Sequence, residues 1–82
     1  MRLQVFVSLH CGACEAFKPN LVGLPVTPEF VDVEADDWKL ADELDIFGVP
    51  AIVVYDEADR VVHKHVGYLS KPRLLELLHS GT

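Results

Sequence analysis

The fold is decided by residues 3–14, which run LQVFVSLHCGAC. Residues 3–9 are mostly apolar and partly β-branched, a pattern typical of a strand that is buried on most sides. This strand leads directly into Cys11-Gly12-Ala13-Cys14, where Gly12 permits a turn. Apolar side chains at helical spacing follow in residues 14–21, and Pro19 should kink or shorten that helix. The stretch therefore predicts a strand that delivers two cysteines to the start of a helix.

The middle of the chain predicts a second strand and a second helix. Residues 30–34 alternate between apolar and polar side chains, as expected of a strand. Asp36 or Asp37 is a suitable N-cap for a helix whose apolar positions include Leu40, Ala41 and Leu44 and which ends before Gly48.

The last third predicts a hairpin and a final helix. Residues 51–55 and 60–66 form two strands joined by residues 56–59, a separation that favours antiparallel pairing. Ser70 caps the final helix, Pro72 lies in its first turn, and Gly81 is suited to stop it. The order is βαβαββα, which predicts an α/β fold with a four-stranded mixed sheet flanked by three helices.

Size and charge limit the classes of function. The 82 residues are 50% hydrophobic and 24% charged, so we expect one globular domain over residues 1–82. A net charge of −6 disfavours nucleic acids and anionic membranes as partners. No apolar run approaches the roughly 20 residues of a membrane span, and residues 3–9 are too short for a signal peptide. We expect a cytoplasmic protein and, since no apolar surface is left over, a monomer.

The two cysteines are the chain's evident chemistry. A bond that closes two intervening residues constrains the unfolded chain very little, so the pair is not a structural staple. At a helix N-terminus the backbone N–H groups stabilise a thiolate, which makes Cys11 the candidate nucleophile. Cys14 lies one helical turn further on, where we expect less exposure and a higher thiol pKa. The small Gly12 and Ala13 leave Cys11 open to a bulky protein partner.

Three stretches together resemble the thioredoxin family. They are residues 11–14 (CGAC) with Pro19 five residues later, residues 47–50 (FGVP) and residues 66–71 (VGYLSK). They occur in the right order and are spread along nearly the whole chain, in a form that is similar to a thioredoxin without its first strand and helix. The resemblance implies a minimal thioredoxin fold.

The same resemblance implies site residues and an activity. Cys11 attacks and Cys14 resolves, Pro50 is the cis-proline that faces the disulfide, and Val49 offers its backbone to the substrate as an added strand. Gly67, Gly12 and Ala13 complete the expected substrate-binding residues. The expected activity is reduction of protein disulfides without a bound cofactor, with electrons from a thioredoxin-reductase-type donor. An X–Pro bond that opens a buried strand independently favours the cis form at Pro50.

Several positions depart from the family pattern. Val5 stands where thioredoxins usually carry a buried aspartate, and His10 stands where they carry a tryptophan. A cationic His10 should lower the thiol pKa of Cys11, whereas Glu15 should raise it. The glutathione-binding pattern of glutaredoxins is not matched, although Lys71 and the helix start near Ser70 offer a place for a carboxylate. A disulfide oxidase or isomerase, a glutaredoxin-like electron donor and a non-catalytic adaptor remain alternatives.

A zinc site is the other alternative for the cysteines. His63 and His65 lie two residues apart on a strand, so both point to one face and could join Cys11 and Cys14 as ligands. This set lacks the spacing of zinc fingers, and we expect no metal. Trp38 and the acidic residues around it are expected to be packing and a solvated helix start.

Overall fold

The computed structural model describes residues 1–80, with Ser80 described by its backbone alone. The predicted order βαβαββα and the four-stranded mixed sheet with three α-helices are confirmed. The strands are β1 (Arg2–Val7), β2 (Pro28–Asp32), β3 (Ala51–Tyr55) and β4 (Val61–Val66). The α-helices are α1 (Gly12–Phe17), α2 (Lys39–Glu43) and α3 (Lys71–Ser80), and a 3-10 helix (Lys18–Leu21) follows α1 directly.

The sheet brings three distant loops to one end of the molecule. Its strand order is β2-β1-β3-β4, with β1 parallel to β2 and antiparallel to β3, and with β3 antiparallel to β4. Phe6 near the end of β1 pairs with Ala51 at the start of β3, and Ala51 pairs with Val66 at the end of β4. The chain therefore leaves β1, enters β3 and leaves β4 at the same end of the sheet. We call this end the site end.

Each face of the sheet buries its own hydrophobic cluster. The first cluster packs α1, the 3-10 helix and α3 on one face, and the second packs α2 on the other. The first consists of Leu3, Val5, Phe17, Leu21, Ile52, Val54, Leu69, Leu74 and Leu78. The second consists of Phe6, Val33, Ala41, Ile46, Ala51, Val53 and Tyr55. Because β3 contributes to both clusters and all five of its residues are buried, it is the centre of the fold.

The structure corrects the predicted start of α2. Neither Asp36 nor Asp37 is its N-cap; that position is Trp38, in the left-handed region at φ 65° and without a side-chain cap bond. Asp36 still serves the helix, because its carboxylate accepts the N–H of Leu40 at 3.0 Å. Strand β2 also ends earlier than predicted, at Asp32, because the chain turns from Val33 onwards.

Pro19 and Pro72 have the positions in their helices that the sequence predicts. Pro19 ends α1 early, since the chain continues as a 3-10 helix with Pro19 in its first turn. Pro72 lies in the first turn of α3, which begins directly after Ser70. The predicted stop at Gly81 lies outside the described residues. None of the helices within residues 1–80 has the length and hydrophobicity of a membrane-spanning segment.

Candidate active site

The two cysteines form a disulfide at the start of α1. Cys11 is the N-cap of this helix, with extended backbone at φ −112° and ψ 103°. Its Sγ bonds to the Sγ of Cys14 and also accepts the backbone N–H of Cys14 at 3.0 Å. The two Cα atoms lie 5.2 Å apart. A sulfur at this position receives a first-turn N–H, the group that stabilises a thiolate once the disulfide is opened.

The two sulfurs differ in access, as the sequence predicts. Cys14 is 1% exposed, whereas Cys11 is partly exposed and is followed by the exposed Gly12 and Ala13. An incoming disulfide can therefore reach Cys11 but not Cys14. Exchange chemistry through a pair of cysteines requires such a difference in access between the two sulfurs.

The ionisable neighbours of the disulfide are on the surface. His10 is exposed, and its backbone N–H donates to Ser8 Oγ at 3.4 Å. The Ser8 hydroxyl in turn donates to the carboxylate of Glu34. Glu15 is exposed and forms an ion pair with Lys18, with an N–O distance of 2.9 Å. The charge of Glu15 is thus partly offset by a cation on the same helix turn.

The loop before β3 forms the second wall of the site end. The Val49–Pro50 peptide bond is cis, as the sequence predicts. Val49 is half-buried and Pro50 is buried. The carbonyl of Pro50 accepts the N–H of Gly67 at 2.7 Å, and Gly67 has a φ of 110°, which disfavours any other residue there. This bond ties the loop before β3 to the loop after β4.

Apolar side chains lie exposed around these loops, which corrects the expectation that none are left over. Leu9 is 79% exposed, Phe47 73%, Tyr68 55% and Val66 47%. Leu9, Phe47 and Tyr68 lie in loops, where no helix packs over them. The alternating pattern of a strand does not extend to these positions, so it does not predict their burial. Exposed apolar side chains in a cluster of loops are typical of a surface that meets a protein partner.

A brace that sequence reasoning missed holds the loop after β4 against the active-site helix. Asn20 in the 3-10 helix donates through Nδ2 to the Tyr68 hydroxyl and to the Leu69 carbonyl, both at 2.9 Å. The ring of Tyr68 meets the buried ring of Phe17 edge to face, with centroids 6.0 Å apart. Lys71, which the sequence offered to a carboxylate, donates to the carbonyl of Val22 instead.

No charged side chain is buried among the described residues. Val5, at the position of the family's aspartate, is 0% exposed and packs in the first cluster. Among residues 1–80, no group of three or more histidine, cysteine and acidic side chains is arranged to hold a metal ion. The zinc alternative, which combined His63 and His65 with the two cysteines, therefore finds no support.

Three groups at the opposite end of the sheet have shifted pKa values: hydrogen bonds to Glu29 and Asp59 raise the pKa of the Arg2 guanidinium, and Asp56 and Tyr55 are the other two. The backbone N–H of Arg60 donates to Asp56 and holds the pKa of its carboxyl below the ordinary value. Burial raises the pKa of the Tyr55 hydroxyl, which donates to Gln4 at 2.6 Å. These groups stabilise the hairpin and the sheet and are remote from the disulfide.

Comparison with solved structures places the chain among thioredoxin-like folds. It is 25% identical to a mutant thioredoxin from Halobacterium salinarum NRC-1, covering 98% of this chain and 73% of that one, with a TM-score of 0.86. Thioredoxin 1 from Thermosipho africanus TCF52B is 19% identical over 98% of this chain and 92% of that one, with a TM-score of 0.77. Thioredoxin-2 of the malaria parasite is 17% identical over 95% and 80%, with a TM-score of 0.82.

No protein-family model and no curated protein matches the sequence. The structural matches and the Cys11–Cys14 pair together show a thioredoxin-like fold with a Cys-x-x-Cys disulfide. This combination is consistent with thiol–disulfide redox chemistry.

Proposed function

We propose that this protein reduces the disulfides of other proteins by dithiol–disulfide exchange. The observation that carries the proposal is the unequal access of two bonded sulfurs, one at a helix N-cap and the other 1% exposed. A structural disulfide gains nothing from this arrangement, because so short a loop adds little stability. A redox pair needs it, because one sulfur must be attacked while the other waits.

In the reduced protein, the Cys11 thiolate attacks one sulfur of the target disulfide. A bond forms between Cys11 and that sulfur, and the other target sulfur leaves as a thiolate. Cys14 then loses its proton and attacks Cys11 Sγ, which forms the Cys11–Cys14 bond and releases the second target thiolate. Two electrons pass from the cysteine pair to the target, and the two released thiolates take up protons.

The target backbone docks beside the disulfide. Val49 precedes the cis-proline and offers its backbone to an extended target segment, in the manner of an added strand. The exposed Gly12 and Ala13 leave room for that segment, and the Gly67 N–H fixes the carbonyl of Pro50 behind it. The partners we propose are disulfide-containing proteins and a reductase of the thioredoxin-reductase type. The reaction uses the chain's own sulfurs and requires no bound cofactor.

The test compares two serine variants with disulfide-linked protein as substrate and dithiothreitol as electron donor. Cys11→Ser should lose all turnover, because it lacks the attacking sulfur. Reduced Cys14→Ser, freed of dithiothreitol before the substrate is added, should accumulate a mixed disulfide with the target, visible on a non-reducing gel as a species that added dithiothreitol cleaves. Retained turnover in Cys11→Ser would falsify the mechanism. If the wild-type protein itself shows no turnover, the adaptor alternative is favoured.

A further inference from the structure

A pocket of about 490 Å³ opens beside the loop that leads to the cis-proline. Its walls come from the start of α2 and from the segment before Pro50. They consist of Asp37, Trp38, Lys39, Asp42, Ile46 and Phe47. Phe47 lies two residues before Val49, so the pocket is continuous along the chain with the segment proposed to dock the target backbone.

The pocket combines aromatic rings with carboxylates. Trp38 is half-buried and Phe47 is 73% exposed, so both rings present surface to the pocket. Asp37 and Asp42 are exposed, and within residues 1–80 neither takes part in an ion pair. Lys39 supplies one opposing charge, which leaves the lining with an excess of negative charge. Rings and carboxylates together favour a ligand with a flat, cationic end.

The surrounding charge points to the same kind of ligand. Residues 32–45 hold seven of the chain's 13 acidic residues and one of its seven basic residues. The net charge of this segment is therefore the same as that of the whole chain, −6. Such a concentration of charge steers cationic partners toward one side of the site end.

We propose that this pocket binds an arginine side chain of the target protein close to the disulfide that is reduced. The inference rests on the proposed function and names a substrate class for it. A guanidinium stacks on aromatic rings and forms forked hydrogen bonds with carboxylates, whereas a lysine ammonium does neither as well. An extended target segment rises about 3.3 Å per residue. A side chain a few residues from the target cysteine can therefore reach Phe47, which lies two residues before Val49.

The test uses pairs of peptides whose cysteine forms a mixed disulfide with a chromogenic thiol. One member of each pair carries arginine within three residues of the cysteine, and the other carries citrulline, which keeps the shape but lacks the charge. The value of kcat/KM is measured with dithiothreitol restoring the reduced protein. At the favoured position, the wild type should prefer arginine about three- to tenfold.

The variant combines Asp37, in the turn before α2, with Asp42 on α2, and the neighbouring Glu43 supplies the control. Asp37→Asn/Asp42→Asn should reduce the preference to below about twofold, because the pocket loses both carboxylates. Glu43→Gln removes a charge from an exposed residue of the same helix that does not line the pocket, and should keep the preference. No preference at any position, or an equal loss in Glu43→Gln, overturns the proposal.

A binding measurement without redox chemistry distinguishes failure of the proposed function from failure of the pocket proposal. Trp38 is the chain's single tryptophan and lines the pocket, so its fluorescence reports occupancy. Peptides with serine in place of cysteine should change this fluorescence when they carry arginine, and much less when they carry citrulline. Arginine-dependent binding without any reduction supports the pocket and refutes the reductase; reduction without arginine-dependent binding does the opposite.

Discussion

At the scale of single residues, the chemistry depends on how the surroundings of Cys11 differ from those of Cys14. Cys14 is shielded inside α1, whereas Cys11 lies between the exposed His10 and the exposed first turn of the helix. Val5 supplies no carboxylate behind the pair. The ionisable residues that we expect to tune Cys11 are therefore the surface residues His10 and Glu15.

We expect these two residues to act in opposite directions on the reactivity of Cys11. Glu15→Gln should lower the pH midpoint of Cys11 alkylation in the reduced protein, because it removes a negative charge near the thiolate. His10→Gln should raise it, because it removes a source of positive charge. Since all these groups are exposed, each shift should be a few tenths of a pH unit.

Alkylation of the reduced protein with iodoacetamide, followed by mass spectrometry at a series of pH values, measures these midpoints. Lys18→Gln is the matched control, because it leaves Glu15 without its ion-pair partner and should raise the midpoint. Identical midpoints in all three variants would show that neither His10 nor Glu15 tunes the cysteine.

The residues that the sequence identified are those whose roles depend on near neighbours in the chain. Cys11 and Cys14 lie one helical turn apart, and Pro50 opens a strand, so local patterns sufficed for the bonded pair and for the cis bond. Asn20 was missed because its partners are 48 and 49 residues away, Tyr68 and Leu69. No local signal distinguishes an asparagine that braces a loop from one that faces solvent.

At the scale of elements, the 3-10 helix acts as a spacer between the cysteines and the loop after β4. Pro19 ends α1 after Phe17, and the tighter turn then directs Asn20 toward Tyr68. The loop that contains Gly67 is thereby held from both sides, by Asn20 and by the carbonyl of Pro50.

Asn20→Ala should lower the free energy of unfolding by about 1–2 kcal/mol, because it removes two hydrogen bonds and leaves the Leu69 carbonyl without this donor. Tyr68→Phe removes one of the two bonds and keeps the ring against Phe17, so its loss should be smaller. Urea denaturation measures both. An equal loss in the two variants would contradict the brace through Leu69.

Helix α2 shows why element boundaries were harder to predict than element order. Asp36 and Asp37 are good N-cap residues, and the sequence offered both. The chain instead makes a turn with Asp37 and Trp38 in the left-handed region, and Trp38 packs against the second cluster. Packing of this half-buried ring against the second cluster thus outweighed local capping preference, and such packing depends on tertiary contacts.

At the scale of the whole molecule, the fold is one sheet covered on both faces by short elements. A chain of this length has a total stability of about 4–12 kcal/mol. Each cluster must therefore supply a large share of it. The covering of the second face is the smaller, since α2 has five residues.

Neighbouring residues of β3 test the two clusters separately. Ile52 belongs to the first and Val53 to the second, and they are 1% and 0% exposed. Ile52→Ala should lower the free energy of unfolding by about 2–5 kcal/mol, and Val53→Ala by about 2 kcal/mol. Val62→Ala on the partly exposed β4 should change it by less than about 0.5 kcal/mol. An unaltered urea midpoint in Val53→Ala would mean that the α2 face is not part of the cooperative fold.

The central claim, that the cysteine pair reduces other proteins, is tested most directly by its reduction potential. The protein is equilibrated with graded mixtures of reduced and oxidised dithiothreitol or glutathione. The fraction with the Cys11–Cys14 disulfide is then measured by mass spectrometry. The account predicts a value near the roughly −270 mV of thioredoxin. A value of about −120 to −180 mV would contradict it, because a pair at that potential oxidises or isomerises protein disulfides.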